Sequence, residues 1–307
     1  MATHECCPPG EEHLRNIFSS PGSLLLVDLD DTVKESRVTE WEDGVARRFL
    51  PQTLQAFNAI SESGVKIGVA TEQSASEMLP FLAQIANLSK KANENLFNGF
   101  LVYEGGAIIQ TPEGTERNLV SSKSRQDLAL VKNILRHSIG REIPDNNGWT
   151  MLSGVSIEVP VKLPEGDRQG KSTLSLWEKG PHVGTNPEYN EKYEKINEYI
   201  QDILRVIGAK YLRAFEAGNG TIRIVPKNVS KHHALGLLHA FGAIDLSKTV
   251  FACDGPNDIA LAKKVKSRGG GVIAVGNAVP EIKVEADYVA TAVAGAGFSE
   301  AIFQILQ

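Results

Sequence analysis

The chain has 307 residues, 32 basic against 37 acidic side chains, and ordinary apolar content. That length supports one large domain or two ordinary ones, and the lack of a dominant basic tract argues against nucleic acid as the main partner. No run approaches the roughly 18 apolar residues of a membrane span. The sparse cysteines (Cys6, Cys7 and Cys253) suggest reduced thiols and a cytoplasmic setting.

The opening MATHECCPPGEEHLRNIF has no apolar core behind a basic flank, so no secretory leader is expected. Residues 1–20 read as an N-terminal tail, with Cys6 and Cys7 lacking a second Cys/His pair at metal-binding spacing. The first strand is expected at Leu24–Val27, a continuous apolar run ending in Asp28. A helical pattern over Leu50–Glu62 leads to a second run, Val65–Ala70, that ends in Thr71. Short apolar runs of this kind mark strands buried on both faces, as in parallel sheets.

The middle of the chain has a different rhythm. A helical pattern at Ser124–Ser138 precedes alternating residues in Met151–Val161 and a strand-like Ser172–Trp177, with the polar stretch Glu165–Leu174 read as an exposed loop. Asn190–Ile207 follows as a long amphipathic helix, with Tyr193, Ile196, Tyr199, Ile200, Ile203 and Leu204 on one face. Tyr211–Phe215 and Thr221–Val225 flank Gly218-Asn219-Gly220, a hairpin signal. The order helix, two strands, helix, two strands predicts a small α+β unit at 110–222, inserted into the surrounding domain.

The first rhythm then resumes. Ser230–Phe241 is a helix capped by Ser230, and Thr249–Cys253 is a third buried run, ending in Asp254. The loop Asp254-Gly255-Pro256-Asn257-Asp258 opens a helix at Ile259–Val265. The fold class implied is α/β, a doubly wound, mostly parallel sheet over 21–109 and 223–307. Ligands of such sheets bind beyond the carboxyl ends of the strands, where Asp28, Thr71 and Asp254 all fall.

Asp28 and Asp30 project the same way from extended backbone, and Asp254, Asn257 and Asp258 form a second polar cluster. Either cluster alone also suits caps and turns. Together at neighbouring strand ends they call for a hard cation, and oxygen ligands point to Mg²⁺. Carboxylates, a hydroxyl, a lysine and Mg²⁺ are the equipment of phosphoryl transfer. Lys227 and Lys231 are the candidate lysines, with Lys231 preferred because it follows the cap in a helix beginning beside the sheet. His232 and His233 adjoin it and read as helix surface or packing; Arg136, His137, Arg141, Lys179 and Arg213 are cations of the inserted unit that nothing selects between.

Asp28-Leu29-Asp30-Asp31-Thr32, Val69-Ala70-Thr71, Val229-Ser230-Lys231 and Asp254-Gly255-Pro256-Asn257-Asp258 resemble, in order, the four motifs of the haloacid-dehalogenase-like (HAD) hydrolases. Gly271–Ala290 also resembles the C-terminal segment of their Cof-type and sucrose-phosphatase-like sugar phosphatases. The resemblance implies Asp28 as nucleophile and metal ligand, and Asp30 as general acid/base that also binds metal through its backbone carbonyl. Thr71 and Lys231 would hold the phosphoryl group, Asp254 would complete the metal shell, and Asn257 and Asp258 would support the site. The implied activity is hydrolysis of a small phosphorylated metabolite, with the inserted unit as a cap. Cys253, Glu72, His232 and Glu104-Gly105-Gly106-Ala107 depart from the family pattern. A phosphotransferase or phosphosugar mutase shares the chemistry, and a phospho-accepting signalling module shares the residue types. The metal-free haloacid dehalogenase fits less well, given Asp30 and the Asp254/Asp258 pair.

Overall fold

A computed structural model describes residues 9–34, 51–89, 96–138, 157–158, 174–178, 187–216 and 221–307. Cys6, Cys7, Arg141, Lys179, the loop at 165–173 and the glycines at 218–220 lie outside the described residues, as do the side chains of Arg136 and His137. In chain order the elements begin with α1 (Pro9–Phe18), β1 (Leu24–Val27), α2 (Pro51–Glu62), β2 (Lys66–Ala70) and α3 (Ala75–Leu88). Next come β3 (Leu101–Tyr103), β4 (Ile108–Gln110), β5 (Glu116–Asn118), α4 (Ser122–Ser138), β6 (Ile157–Glu158) and β7 (Leu174–Glu178). Then α5 (Pro187–Val206), β8 (Leu212–Glu216), β9 (Thr221–Pro226) and α6 (Lys231–Ala240) lead to β10 (Thr249–Cys253). The chain ends with α7 (Ile259–Ser267), β11 (Gly271–Ala274), α8 (Pro280–Glu285), β12 (Tyr288–Val289) and α9 (Ala294–Leu306).

The chain divides into two compact units. One comprises Met1–Gln73, Glu77–Arg117 and Ser230–Gln307; the other comprises Ser74–Ser76 and Asn118–Val229. The first holds the main sheet, whose order is β12-β11-β10-β1-β2-β3-β4-β5. Pairings from β12 through β3 are parallel, and β3 with β4 is antiparallel. The strands expected from the apolar runs are these central ones. Every residue of β1 and β10 is buried, which explains why neither shows polar alternation. β1 pairs with β10 and β2 on its two sides, Val27 lying opposite Ala252 and Val69. Asp28, Thr71 and Asp254 therefore leave the sheet together, at the carboxyl ends of β1, β2 and β10.

Helix α1 is a difference from the expected tail. Leu14, Ile17 and Phe18 are buried, and Arg15 donates from Nη2 to the Gln304 carbonyl of α9 at 2.9 Å. The Pro-Gly and acidic residues masked a short amphipathic helix that covers one side of the sheet. The second unit has an antiparallel sheet in the order β6-β7-β9-β8. Ile200, Ile203 and Leu204 of α5 enter its core with Leu128 and Val131 of α4, Leu212 of β8 and Ile224 of β9. Among the described residues, no helix is long and apolar enough to cross a membrane.

Candidate active site

Asp28 follows β1 directly, and its N–H donates to the Ala252 carbonyl at 2.9 Å, so the sheet itself fixes the side chain's origin. Three residues on, Asp31 adopts a left-handed backbone (φ 55°) that turns the chain sharply. Glycine suits that conformation best, and aspartate is among the few other residues that tolerate it. The turn brings Thr32 under the fourth-motif loop, where its hydroxyl donates to Asp254 Oδ1 at 2.8 Å.

Lys231 is the first residue of α6, and Ser230 caps that helix by accepting the His233 N–H. The helix starts beside the sheet because Gly106 permits it: a Cβ there would lie 2.3 Å from the Ser230 carbonyl. Lys231 is 2% exposed and reaches two carboxylates, with Nζ 2.8 Å from Asp28 Oδ1 and 2.7 Å from Asp258 Oδ1. Lys227 is exposed on the surface of the other unit. Of the two candidate lysines, the fold thus brings Lys231 to Asp28. His232 and His233 converge on the Ser230 hydroxyl, their Nδ1 atoms 2.9 and 3.2 Å from it, because that cap sits over the first helical turn.

Asp28, Asp254 and Asp258 each offer a carboxylate oxygen within 4.8 Å of the others. Asp254 Oδ2 also accepts from Asn277 Nδ2 at 3.3 Å, while Gly255 N–H donates to Asp258 Oδ2 at 3.4 Å. Burial pushes the Asp28 carboxyl well above its ordinary range; Lys231 opposes the shift, while Asp258, Asp254 and Asp30 add to it. Asp258 is raised for the same leading reason, with Lys231 again opposing. Burial takes Asp254 up to about 7, against the Thr32 hydrogen bond that stabilises its ionised form. Burial alone would lower Lys231, but the charges of Asp258 and Asp28 outweigh it and hold the ammonium protonated.

Among the described residues, three carboxylates face one ammonium, an excess of two negative charges in a largely buried site when all three are ionised. Desolvation makes such an excess costly, and a divalent cation with oxygen preference would remove it. The donor set therefore fits Mg²⁺. The Asp30 carboxylate turns elsewhere: Gln73 Nε2 lies 3.0 Å from each of its oxygens and Lys34 Nζ 2.9 Å from Oδ1. Its expected part in metal binding involved the backbone carbonyl rather than this carboxylate.

Thr71 is fully buried, and its hydroxyl accepts the Gln73 N–H at 3.2 Å. Asn257 is exposed and donates from Nδ2 to Glu72 Oε1 at 3.4 Å. Glu72, the departure after Thr71, also packs against Gly105, where a Cβ would lie 2.5 Å from Oε2. Cys253 is a buried free thiol, pushed up by desolvation and by neighbouring Asp258 and Asp28, and so unreactive.

Sequence reasoning missed Lys34, Gln73 and Asn277. Lys34 stands four residues after Asp30, a spacing that signals an ion pair in helices but says little in a turn. Asn277 donates from Nδ2 to the Asp31 carbonyl at 2.8 Å as well as to Asp254, and its Oδ1 accepts the Ala294 N–H at 2.7 Å. Its place in the Gly271–Ala290 pattern was the available signal.

A family model described as haloacid dehalogenase-like hydrolase matches residues 25–302. No curated protein resembles the chain closely enough in sequence to count as a match. Among solved structures, a haloacid dehalogenase-like hydrolase from Bacteroides thetaiotaomicron aligns with TM-score 0.61 at 16% identity, covering 92% of this chain and 99% of its own. A HAD subclass IIB sugar phosphatase gives 0.54 at 16% identity, covering 92% and 99%. The sucrose-phosphatase of Synechocystis sp. PCC6803, solved with sucrose and phosphate, gives 0.52 at 16% identity, covering 92% and 98%. At these identities the structural likeness speaks for the fold.

Proposed function

Because the chain belongs to the haloacid dehalogenase-like hydrolases, we propose that it is a Mg²⁺-dependent phosphomonoesterase. Its substrate on this reading is a small phosphorylated metabolite, foremost a sugar phosphate, as in two of the structural neighbours. The observation that carries the reading is the buried Lys231 bridging Asp28 and Asp258, with Asp254 close enough to complete a three-carboxylate cluster. Asp28 and Asp254 would hold the metal with the Asp30 carbonyl, and Asp258 is the third carboxylate within reach. When bound, Mg²⁺ supplies charge neutralisation for the phosphoryl oxygens and the attacking carboxylate.

The chain's own residues do the rest. Lys231 holds Asp28 Oδ1, which leaves Oδ2 to attack phosphorus. The P–O bond to the leaving group breaks as the Asp28–phosphate bond forms, and Asp30 gives its proton to the departing alkoxide. Water then attacks phosphorus and passes a proton to Asp30. Inorganic phosphate leaves, and Asp28 returns to a carboxylate. Lys231 and Thr71 steady the phosphoryl oxygens, Asp258 orients Lys231, and Asn257 braces Glu72. The unit of residues 118–229 acts as the cap that selects the substrate.

Phosphate release from a panel of sugar, polyol and nucleotide monophosphates tests the proposal. Activity should vanish with EDTA and return with Mg²⁺. Activity indifferent to chelation, or a positional isomer in place of free phosphate, would contradict it.

A further inference from the structure

The Asp30 carboxylate is 41% exposed, yet the groups that hold it are buried: Lys34 and Gln73 are 5% and 8% exposed. Gln73 itself has little freedom. Its N–H donates to the Thr71 hydroxyl at 3.2 Å, and its carbonyl accepts the Glu104 N–H at 2.8 Å. From that fixed backbone the side chain places Nε2 3.0 Å from both Asp30 oxygens. A carboxylate only accepts, so the amide nitrogen must face it. The same orientation leaves Gln73 Oε1 buried with no hydrogen-bond partner among the described residues.

A buried acceptor without a partner destabilises a fold, whereas an apolar side chain of the same length would not. Gln73 is thus a poor choice for packing and a good one for holding Asp30. We propose that Gln73 is a positioning residue for Asp30: with Lys34 behind it, Gln73 fixes the carboxyl group so that, once protonated, its exposed face meets the leaving-group oxygen. This rests on the reading of Asp30 as proton donor. Proton transfer demands hydrogen-bond alignment, so a carboxylate free to rotate would lose part of that contribution.

Gln73→Met tests the proposal, since it keeps the length of the side chain and removes both polar atoms. Two substrates separate the role from a general disturbance. β-Glycerol phosphate releases an alkoxide that needs a proton, while p-nitrophenyl phosphate releases a phenolate that does not. The expected result is a kcat/KM on β-glycerol phosphate lowered about tenfold or more, since kcat/KM reports the steps up to departure of the leaving group. The kcat/KM on p-nitrophenyl phosphate should hardly move, because the later hydrolysis of the aspartyl-phosphate, common to both substrates, does not enter it, and the melting temperature should stay equal or rise. Equal losses of kcat/KM on both substrates, no loss on either, or a lowered melting temperature would overturn the proposal. Asp30→Asn in the same assay judges the underlying reading. If Asp30→Asn lowers kcat/KM equally on both substrates, Asp30 is not the proton donor. If only Gln73→Met lacks the leaving-group dependence, the positioning role alone fails.

Discussion

One ammonium between two carboxylates makes opposite substitutions at the site informative. Lys231→Met strands Asp28 and Asp258 without their common partner, and breaking a buried ion pair from one side costs about 3–5 kcal/mol. Urea denaturation in EDTA should show a loss of that order. Asp28→Asn does the reverse, because it removes one of the excess buried charges and leaves Lys231 with Asp258. That variant should lose phosphatase activity yet melt higher than the parent in EDTA; a lower melting temperature would mean Asp28 is not strained by desolvation. Asp254 gives the pH dependence. Its folded value of about 7 stands above the ordinary 3.8, so the protonated form suits the metal-free fold. The stability it contributes is present below about pH 4 and lost as pH rises toward 7, whereas Mg²⁺ binding needs the ionised carboxylate. Chelated protein should therefore lose melting temperature between about pH 4 and pH 7, and Mg²⁺ should raise it more at the higher pH. A Mg²⁺ effect of equal size at both would contradict the assignment.

At the scale of elements, the site is an arrangement of strand ends and loops locked by side chains far apart in sequence. Asn277 ties three loops together through the Asp31 carbonyl, Asp254 Oδ2 and the Ala294 N–H. Asp31 and Ala294 both have left-handed backbone (φ 55° and 44°), so the amide secures two strained turns at once. Asn277→Ala should weaken Mg²⁺ affinity about 10- to 100-fold, the usual effect of losing a group that orients a ligand. Titration calorimetry measures this directly, and unchanged affinity would show that Thr32 alone suffices to orient Asp254. The strands that carry the site were legible because burial on both faces leaves uninterrupted apolar runs. The helix that carries Lys231 was legible from its Ser230 cap. The locks were not, because Gln73, Lys34 and Asn277 are polar residues in turns whose partners depend on how the chain returns on itself.

Over the whole molecule, the alternation of apolar runs and helical patterns gave the parallel sheet, and the change of rhythm gave the antiparallel sheet of residues 118–229. Helix α1 escaped notice because Pro9-Gly10 and the acidic first turn resemble a tail, and only docking on α9 and the sheet gives its apolar face a purpose. The compact units divide at Arg117/Asn118 and Val229/Ser230, whereas the sequence reading drew the inserted unit at 110–222. The difference arises because β4 and β5 still belong to the main sheet and β9 to the smaller one. In the proposed reaction Asp28 attacks phosphorus. Rapid acid quench with a ³²P-labelled substrate, followed by peptide mapping, tests it most directly. Label is expected on the peptide containing Asp28, released by hydroxylamine and absent from Asp28→Asn. Turnover without covalent label, or label on another residue, would contradict it.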